Sequence, residues 1–472
     1  MSVFIKKHLC TKNNLKWFLI GTMLVLFAIF LPVKLVPDSN SFIQARRSRA
    51  VLYPCFLHLF KFVFGEDLYL RMVIIGQNLL FVFAAAVFIE FICRRFARTA
   101  GTKIILYFLC FCIYIIPSLM SKTDMLNIIW SEGVSISLYL LFSKYLFEYI
   151  LEQDNKSLFM TYVYALICAL VRKQMLLLIV CVFFIHIIIN RHEKRKILYS
   201  LVLTILSGGI FIAGGILYDS FICSNKDNID AYDCNRLANI MYFSQEEDIN
   251  DLDDDCRILF QSIYKEMEKE NALYYKVKDQ LSWYGIGKHK AEYYDVITYD
   301  MILECVLPEY YTYYGEKYHL NERAQMQQPV RQNLKTLEKV LFKTHLREFT
   351  FVYCIWTVTG FLETIVPATQ AYTALFPEHI QFFGVSLSVS AMFVFLSFAL
   401  YIVYIFLTIA AVKRRMECGS IGMAILLLIV ANAAATSLFI MPLHRYLLYN
   451  SMLFYMFLLV LFKDLTQEIN HE

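Results

Sequence analysis

Eleven apolar stretches, most of them 17–24 residues long, dominate this chain of 472 residues. A helix needs about 20 mostly apolar residues to span a bilayer. The composition agrees, since 58% of the residues are hydrophobic and 18% are charged, against roughly 45–50% and about 25% in soluble domains. These features exclude a water-soluble globule and a disordered chain. The stretches are residues 17–36, 70–92, 104–120, 127–150, 158–171, 174–190, 197–218, 349–367, 383–412, 421–441 and 446–462.

One polar segment, residues 218–345, interrupts the apolar stretches. It contains 23 acidic and 15 basic residues and 15 of the 32 tyrosines, whereas the rest of the chain has 29 bases and 17 acids. We therefore predict three parts. Residues 1–217 form an N-terminal transmembrane module with an outer loop at 37–69, residues 218–345 form an acidic, mainly helical domain, and residues 346–472 form a C-terminal transmembrane module.

Basic loops predict the orientation. Residues 93–103, 190–196 and 412–417 are rich in Lys and Arg, and such loops tend to stay in the cytoplasm. Residues 17–36 follow a basic start, as in a signal peptide, but the stretch is about 20 residues long and many more apolar stretches follow, which predicts a retained first helix that starts in the cytoplasm. Both termini are then cytoplasmic and 218–345 is extracytoplasmic. The polar residues within 349–383 favour an interfacial or re-entrant element, so we predict an all-α multi-pass protein of the plasma membrane with about ten spans.

The cysteines and acids do not form a recognisable metal motif. None of the 13 cysteines has CxxC spacing, so most are predicted to be apolar fillers. Cys223, Cys234, Cys256 and Cys305 lie in the polar segment, where a Cys223–Cys234 disulfide is left open. The acidic string at 246–255 lacks the ligand spacing of an EF-hand.

The first outer loop carries charges that the positive-inside tendency disfavours there. They are Asp38, Arg46, Arg47 and Arg49. A helix from Ser41 is predicted to place Phe42, Arg46 and Arg49 on one face, followed by a second amphipathic helix after Tyr53. Asp38 either caps a helix while the arginines meet lipid phosphates, or it is a general base while the arginines bind a phosphate-bearing substrate.

Further charges fall on the same predicted side of the membrane. Asp124 and Glu132 lie in the second outer loop, and Glu132 either has a functional role or pairs with a base such as Lys122 or Arg172. The remaining polar residues at span ends are Arg172, Lys173, His444, Arg445 and Tyr446. Their common placement favours one shared outer site.

Sparse motifs give the chain a family resemblance. They are Asp38 beyond the first span, Arg49 with Tyr53 and Pro54 in the same loop, Asp124 or Glu132 at the fourth span, and Arg445 with Tyr446 near the last span. In this arrangement the membrane part resembles the polytopic glycosyltransferases of the GT-C fold, relatives of protein O-mannosyltransferases and lipid A aminoarabinose transferases. Two features depart from that pattern: Asp38 is followed by Ser39 where the family often has a second acid, and residues 218–345 match no domain of the family.

The resemblance implies an inverting transfer of a sugar from a polyprenyl-phosphate carrier to a glycan, lipid or protein acceptor outside the cytoplasm. Asp38 would be the general base, and Glu132 or Asp124 would orient the acceptor or hold a divalent cation, the one cofactor left open. Nucleic acid is not an expected partner. The phosphate and substrate would be bound by Arg46, Arg47, Arg49, Tyr53, Arg172, Lys173, His444, Arg445 and Tyr446. The alternatives are a carrier or flippase for a lipid-linked solute, and a polysaccharide polymerase.

Overall fold

The computed structural model describes residues 32–46, 49–96, 99–120, 127–223, 229, 231–366, 379–382, 385–439 and 444–469. Nearly all of these residues are helical, and a short antiparallel hairpin is the exception. The chain divides into two compact units. The membrane unit comprises Met1–Ser224, Phe361–Ala435 and Leu443–Glu472, and the insert unit comprises Asn225–Gly360 and Thr436–Pro442. The sequence had placed the corresponding boundaries at 218 and 345.

The membrane unit consists of helices, most of them apolar and between 14 and 44 residues long, together with one short helix. They are α1 (Pro37–Ile43), α2 (Leu52–Arg95), α3 (Ala100–Met120), α4 (Ser131–Glu152), α5 (Asn155–Val171), α6 (Leu176–Ile189), α7 (Lys194–Phe221), α15 (Val389–Lys413), α16 (Glu417–Phe439) and α17 (His444–Ile469). A single 3-10 turn, Lys173–Met175, separates α5 from α6.

Six helices in the described part of the chain are long and apolar enough to cross a membrane. They are α2, α4, α7 and α15–α17, while Gly101–Ile115, Asn155–Val171 and Lys173–Ile189 are shorter apolar helices. The apolar window of α7 is only 17% buried by protein. Exposing the rest to water would be costly, so lipid is the natural neighbour of α7. The total of about ten spans remains a prediction, because most of 17–36 lies outside the described residues.

Different polar contacts lie at the two ends of helices α4, α5 and α6. At one end, Tyr149 of α4 hydrogen-bonds His186 of α6 (2.6 Å) and accepts a bond from Asn190 (2.9 Å). At the other end, Arg172, which follows α5, forms an ion pair with Glu132 at the start of α4. Helices α4 and α6 therefore run antiparallel to α5. All the candidate site residues described below lie at the Glu132 end.

Two local features differ from the predicted helices. Gly65 interrupts α2 with φ 74° and ψ 172°, a conformation that suits glycine and separates a surface segment, 52–64, from the span. Of the interfacial or re-entrant element predicted within 349–383, residues 367–378 and 383–384 lie outside the described residues. Helix α14 covers Leu346–Glu363, but β1 (His379–Phe382) then pairs antiparallel with β2 (Val385–Ser388).

The insert unit is a separate helical domain. Its helices are α8 (Ala231–Met241), α9 (Asp254–Lys269), α10 (Tyr274–Val277), α11 (Trp283–Asp295), α12 (Leu307–Tyr318), α13 (Arg323–Thr344) and most of α14, with a 3-10 segment at Glu246–Asp251 and a π-helix at Val296–Val306. Its apolar core includes Leu237, Phe260, Ile302 and Leu334. Cys223, Cys234, Cys256 and Cys305 are free thiols.

The acidic string of the insert serves structural contacts. Asp248 accepts a hydrogen bond from the backbone of Gln245 and contacts Nε2 of His345 (2.7 Å). Asp253 caps α9. Burial raises the pKa of Asp255, but bonds from Lys317 and Tyr318 outweigh it and the net shift is downward. Three of the seven acids in the string therefore have structural contacts.

Lys290 is a buried cation inside the insert. Its side chain is 3% exposed, and its Nζ lies 4.4 Å from the Trp356 ring centre, 4.8 Å from Phe243 and 5.2 Å from Phe349. Ring faces attract an ammonium at these distances, but no carboxylate among the described residues forms an ion pair with it. Burial lowers the pKa of Lys290 from 10.5 to about 7.

We expect this lysine to make the insert less stable as the pH falls. The unfolded chain binds the proton near pH 10.5 and the folded chain only near 7, so the free energy of unfolding decreases as pH is lowered between these values, by up to about 1.4 kcal/mol per pH unit. Lys290→Met should remove this dependence of the free energy of unfolding on pH. Urea unfolding of the full chain in detergent, read by pulse proteolysis of 225–360 at pH 7.5–9.5, measures it.

Lys288→Met on the same helix is the matched control. Lys288 is exposed and lies 3.7 Å from Glu292, so its removal leaves the pH slope of the wild type nearly unchanged. Equal slopes for the wild type and Lys290→Met would contradict the assignment and show that the surrounding rings keep Lys290 protonated.

Candidate functional site

Residues 34–39 are hydrogen-bonded directly to the segment that leads into α4. The Lys34 amide donates to the Asn127 carbonyl (2.9 Å), and the Ile129 amide donates to the Lys34 carbonyl (3.3 Å). The Ser39 hydroxyl adds a bond to the Ile129 carbonyl (2.7 Å). Ser39 follows Asp38 and Ile129 precedes Glu132 by three residues, so the two acids belong to the same region of the membrane unit.

Asp38 forms an ion pair with Arg49. Arg49 Nη2 lies 2.5 Å from Asp38 Oδ1, and the two side chains are 25% and 27% exposed. Arg49 also donates to the Ser41 hydroxyl (2.5 Å), and its guanidinium lies 4.5 Å from the Phe42 ring centre. The arginine is thus fixed on three sides, and about a quarter of the Asp38 side chain is exposed.

The helix that carries Asp38 begins earlier than predicted. Helix α1 spans Pro37–Ile43, with proline in its first turn, and Gln44 follows as the C-cap. The predicted helix from Ser41 is therefore wrong, because Arg46 and Arg49 lie beyond its end. Proline at the first helical position has a suitable φ and no amide hydrogen to leave unpaired, which explains the earlier start.

Glu132 and Arg172 form a second, buried ion pair. Glu132 Oε1 is 2.7 Å from Arg172 Nη1, and the side chains are 3% and 9% exposed. Glu132 lies in the first turn of α4, where the helix dipole favours a negative charge. Arg172 has extended backbone between α5 and the 3-10 turn, which turns its side chain towards α4. Of the two partners that the sequence left open, the structure shows Arg172.

Tyr53 connects the surroundings of the two pairs. It is fully buried, its ring meets Phe42 edge-on at 5.0 Å, and its hydroxyl donates to Gln77 (3.4 Å). It also lies within electrostatic range of Glu132. Phe42 therefore contacts both Tyr53 and the Arg49 guanidinium.

A second tyrosine, Tyr449 of α17, lies near the buried ion pair. Its hydroxyl is hydrogen-bonded to that of Ser135 (2.8 Å), and it lies within electrostatic range of Arg172 and Glu132. A cavity of about 10 Å³ borders Tyr449, Gln174 and Asn432. That volume is roughly one water molecule, so this cavity cannot hold a sugar.

The structure describes some of the other predicted site residues. Arg46 is exposed, donates to Gln44 (3.0 Å), and accepts a bond from Tyr218 at its carbonyl. Lys173 is exposed in the 3-10 turn beside Arg172. Arg47 and Asp124 lie outside the described residues. His444, Arg445 and Tyr446 begin α17, just before Tyr449, but their side chains lie outside the described part.

Sequence reasoning missed the amide that supports this region. Gln77 is fully buried in α2, and its Nε2 donates to the Ile128 carbonyl (3.1 Å). Gly133 leaves room for it, since a Cβ there would come within 2.9 Å of the Gln77 side chain. The signal was available: Gln77 and Asn78 are adjacent amides within an apolar stretch, where a polar group needs a partner.

The arrangement supports one chemical role at the exposed pair. Asp38 is a partly exposed carboxylate held by a cation, whereas Glu132 and Arg172 form a buried ion pair. Among the described residues no group of three or more His, Cys, Asp or Glu side chains is placed to hold a metal ion. The divalent cation remains a prediction.

No family model, curated protein or solved structure matches this chain. The residues of the site themselves are therefore the basis for the functional conclusion.

Proposed function

We propose that this chain is a membrane glycosyltransferase that moves a sugar from a polyprenyl-phosphate carrier to an acceptor hydroxyl, with Asp38 as the general base. The observation that supports the proposal most directly is the partly exposed ion pair between Asp38 and Arg49. Ser41 and Phe42 of the membrane unit hold the Arg49 side chain in place. A guanidinium beside a carboxylate keeps it ionised and oriented. A base of this kind needs to be both ionised and accessible.

The reaction follows from these roles. The acceptor oxygen attacks the anomeric carbon as its proton moves to Asp38, and the bond from that carbon to the phosphate oxygen breaks with its electron pair leaving on the phosphate. Attack opposite the leaving group inverts the anomeric configuration. Negative charge grows on the departing phosphate, and nearby cations stabilise it.

Two exposed cations of the membrane unit are assigned to the phosphate in this proposal. Arg172 is committed to Glu132 and Arg49 to Asp38. Arg46 and Lys173 are exposed at the same end of the unit, and we assign the phosphate to these two side chains. Arg172 then positions Glu132 and Tyr449, and the role predicted for it in phosphate binding is replaced by one in positioning.

A direct assay of transfer tests the proposal. The purified chain in nanodiscs is incubated with a radiolabelled polyprenyl-phosphate sugar and extracted membrane acceptors. We expect label to move to an acceptor with this donor and not with a polyprenyl-diphosphate oligosaccharide. Transfer only from the diphosphate would instead indicate the polymerase.

One observation favours a carrier as the second candidate. Helices α5 and α6 are short and are separated by an extended residue that bears a buried charge, and interrupted helices with charges are common in transporters. Uptake of a lipid-linked sugar into sealed vesicles without any covalent product would support that function and overturn the transferase.

A further inference from the structure

A row of unpaired bases runs along one end of the insert unit. Lys335, Lys339 and Lys343 are exposed and spaced four residues apart on α13, and Arg347 follows on α14. Residues four apart share one face of a helix. Within the described part of the chain none of the four forms an ion pair, although the insert as a whole is acidic.

The same end exposes large apolar side chains. Leu346 is 50% exposed, Phe351 is 49% exposed and Val358 is 48% exposed. Arg347, Phe351, Cys354 and Val358 are spaced at i, i+4, i+7 and i+11, which places them along one stripe of α14. The stripe is therefore basic at its start and apolar along the rest of its length.

An open groove joins the bases to the apolar residues. It has a volume of about 620 Å³, and its walls include Lys343, Leu346, Arg347, Thr350, Phe351 and Cys354. Two cations and a hydroxyl lie beside aromatic and aliphatic surface. This combination matches a phospholipid, with the phosphate at Lys343 and Arg347 and the first acyl carbons along Phe351.

We propose that the groove between the end of α13 and the start of α14 binds an anionic phospholipid of the bilayer. Charge complementarity selects this occupant, because four unpaired bases in a row attract a surface of negative headgroups and the apolar stripe continues towards Phe361, where the membrane unit begins. The binding anchors α14 and offsets the repulsion between the acidic insert and the anionic headgroups. This assignment does not depend on the proposed sugar transfer.

Lipid retention measured by native mass spectrometry tests the groove. The full chain is reconstituted in mixed phosphatidylcholine and phosphatidylglycerol nanodiscs and released with its bound lipids. We expect the wild type to retain phosphatidylglycerol selectively. Lys343→Gln with Arg347→Gln should weaken that binding about thirtyfold, since each base near a lipid surface is worth roughly a fivefold change in affinity.

The control removes two bases elsewhere on the insert. Lys265→Gln with Lys288→Gln makes the same change in charge at exposed positions that do not line the groove and should leave phosphatidylglycerol retention unchanged. An equal loss of phosphatidylglycerol in both double variants would show that only net charge matters and would overturn the proposal. Equal retention of phosphatidylglycerol in the wild type and both double variants would also overturn it.

The depth of Phe351 gives an independent measurement. In Phe351→Trp, acyl-brominated phosphatidylglycerol should quench the added fluorescence, whereas bromide ions in the buffer should not. Quenching by the buffer ions alone would contradict the proposal. Competition by inorganic phosphate, with no dependence on the acyl chains, would also overturn it and identify a site for a free anion.

Discussion

Asp38→Asn is expected to lower the rate of sugar transfer by 10²- to 10⁴-fold, the usual contribution of a positioned general base. Asparagine has the shape of aspartate and can still contact Arg49, but it cannot accept the acceptor proton. Membrane insertion and thermal stability should stay close to those of the wild type, because the Asp38 side chain is one-quarter exposed. Turnover of the radiolabelled donor by purified protein in nanodiscs is the measurement.

Asn40→Ala on the same helix is the control for this variant. Asn40 is exposed on α1, and its replacement should change transfer by less than about twofold, the range expected of surface positions. If Asp38→Asn retained wild-type turnover while Asn40→Ala also did, Asp38 would not be the base, although the fold of the loop would stand.

Arg172→Met is expected to destabilise the membrane unit strongly. It removes the cation that forms the buried ion pair with Glu132, and breaking such a pair costs about 3–5 kcal/mol. A second substitution, Glu132→Leu, should restore most of the loss because both charges are then gone. For a chain of 472 residues, whose entropy of unfolding is about 1 kcal/mol/K, the single variant should melt roughly 4 °C below the wild type. Thermal unfolding in detergent, together with the monodisperse fraction on size exclusion, measures both effects.

The comparison between single and double variants decides the role of the pair. A single variant as stable as the double variant would show that Glu132 is solvated or has another partner. A double variant that is stable but inactive would show that the pair positions the site in addition to supporting the fold. Full activity in the double variant would restrict the pair to a structural role.

The sequence predicted the mainly helical class and most of the apolar helices, because burial in lipid imposes a length and a composition that are visible in one dimension. It could not choose the partner of Glu132. Lys122 and Arg172 were equally available by charge, and only the packing of α5 against α4 brings Arg172 within 2.7 Å. The placement of the insert outside the cytoplasm and the transfer reaction remain predictions.

Two local features of the structure were not predicted correctly from the sequence, each for a physical reason. The start of α1 was placed at Ser41 because its hydroxyl suits a cap, yet Pro37 already has a helical φ and begins the helix. Lys290 was not singled out because a lysine in a polar segment is normally solvated. Its burial depends on rings from three distant positions, Phe243, Phe349 and Trp356, a convergence that residue spacing does not reveal.

The brevity of α5 and α6 has a consequence for the surrounding lipid. With 17 and 14 residues, these helices measure about 26 and 21 Å, less than the roughly 30 Å thickness of a hydrocarbon core. Such hydrophobic mismatch is relieved when the bilayer thins locally. The tip that carries Arg172 would then lie where the bilayer is thinned, and short-chain lipids would be the better hosts for this protein.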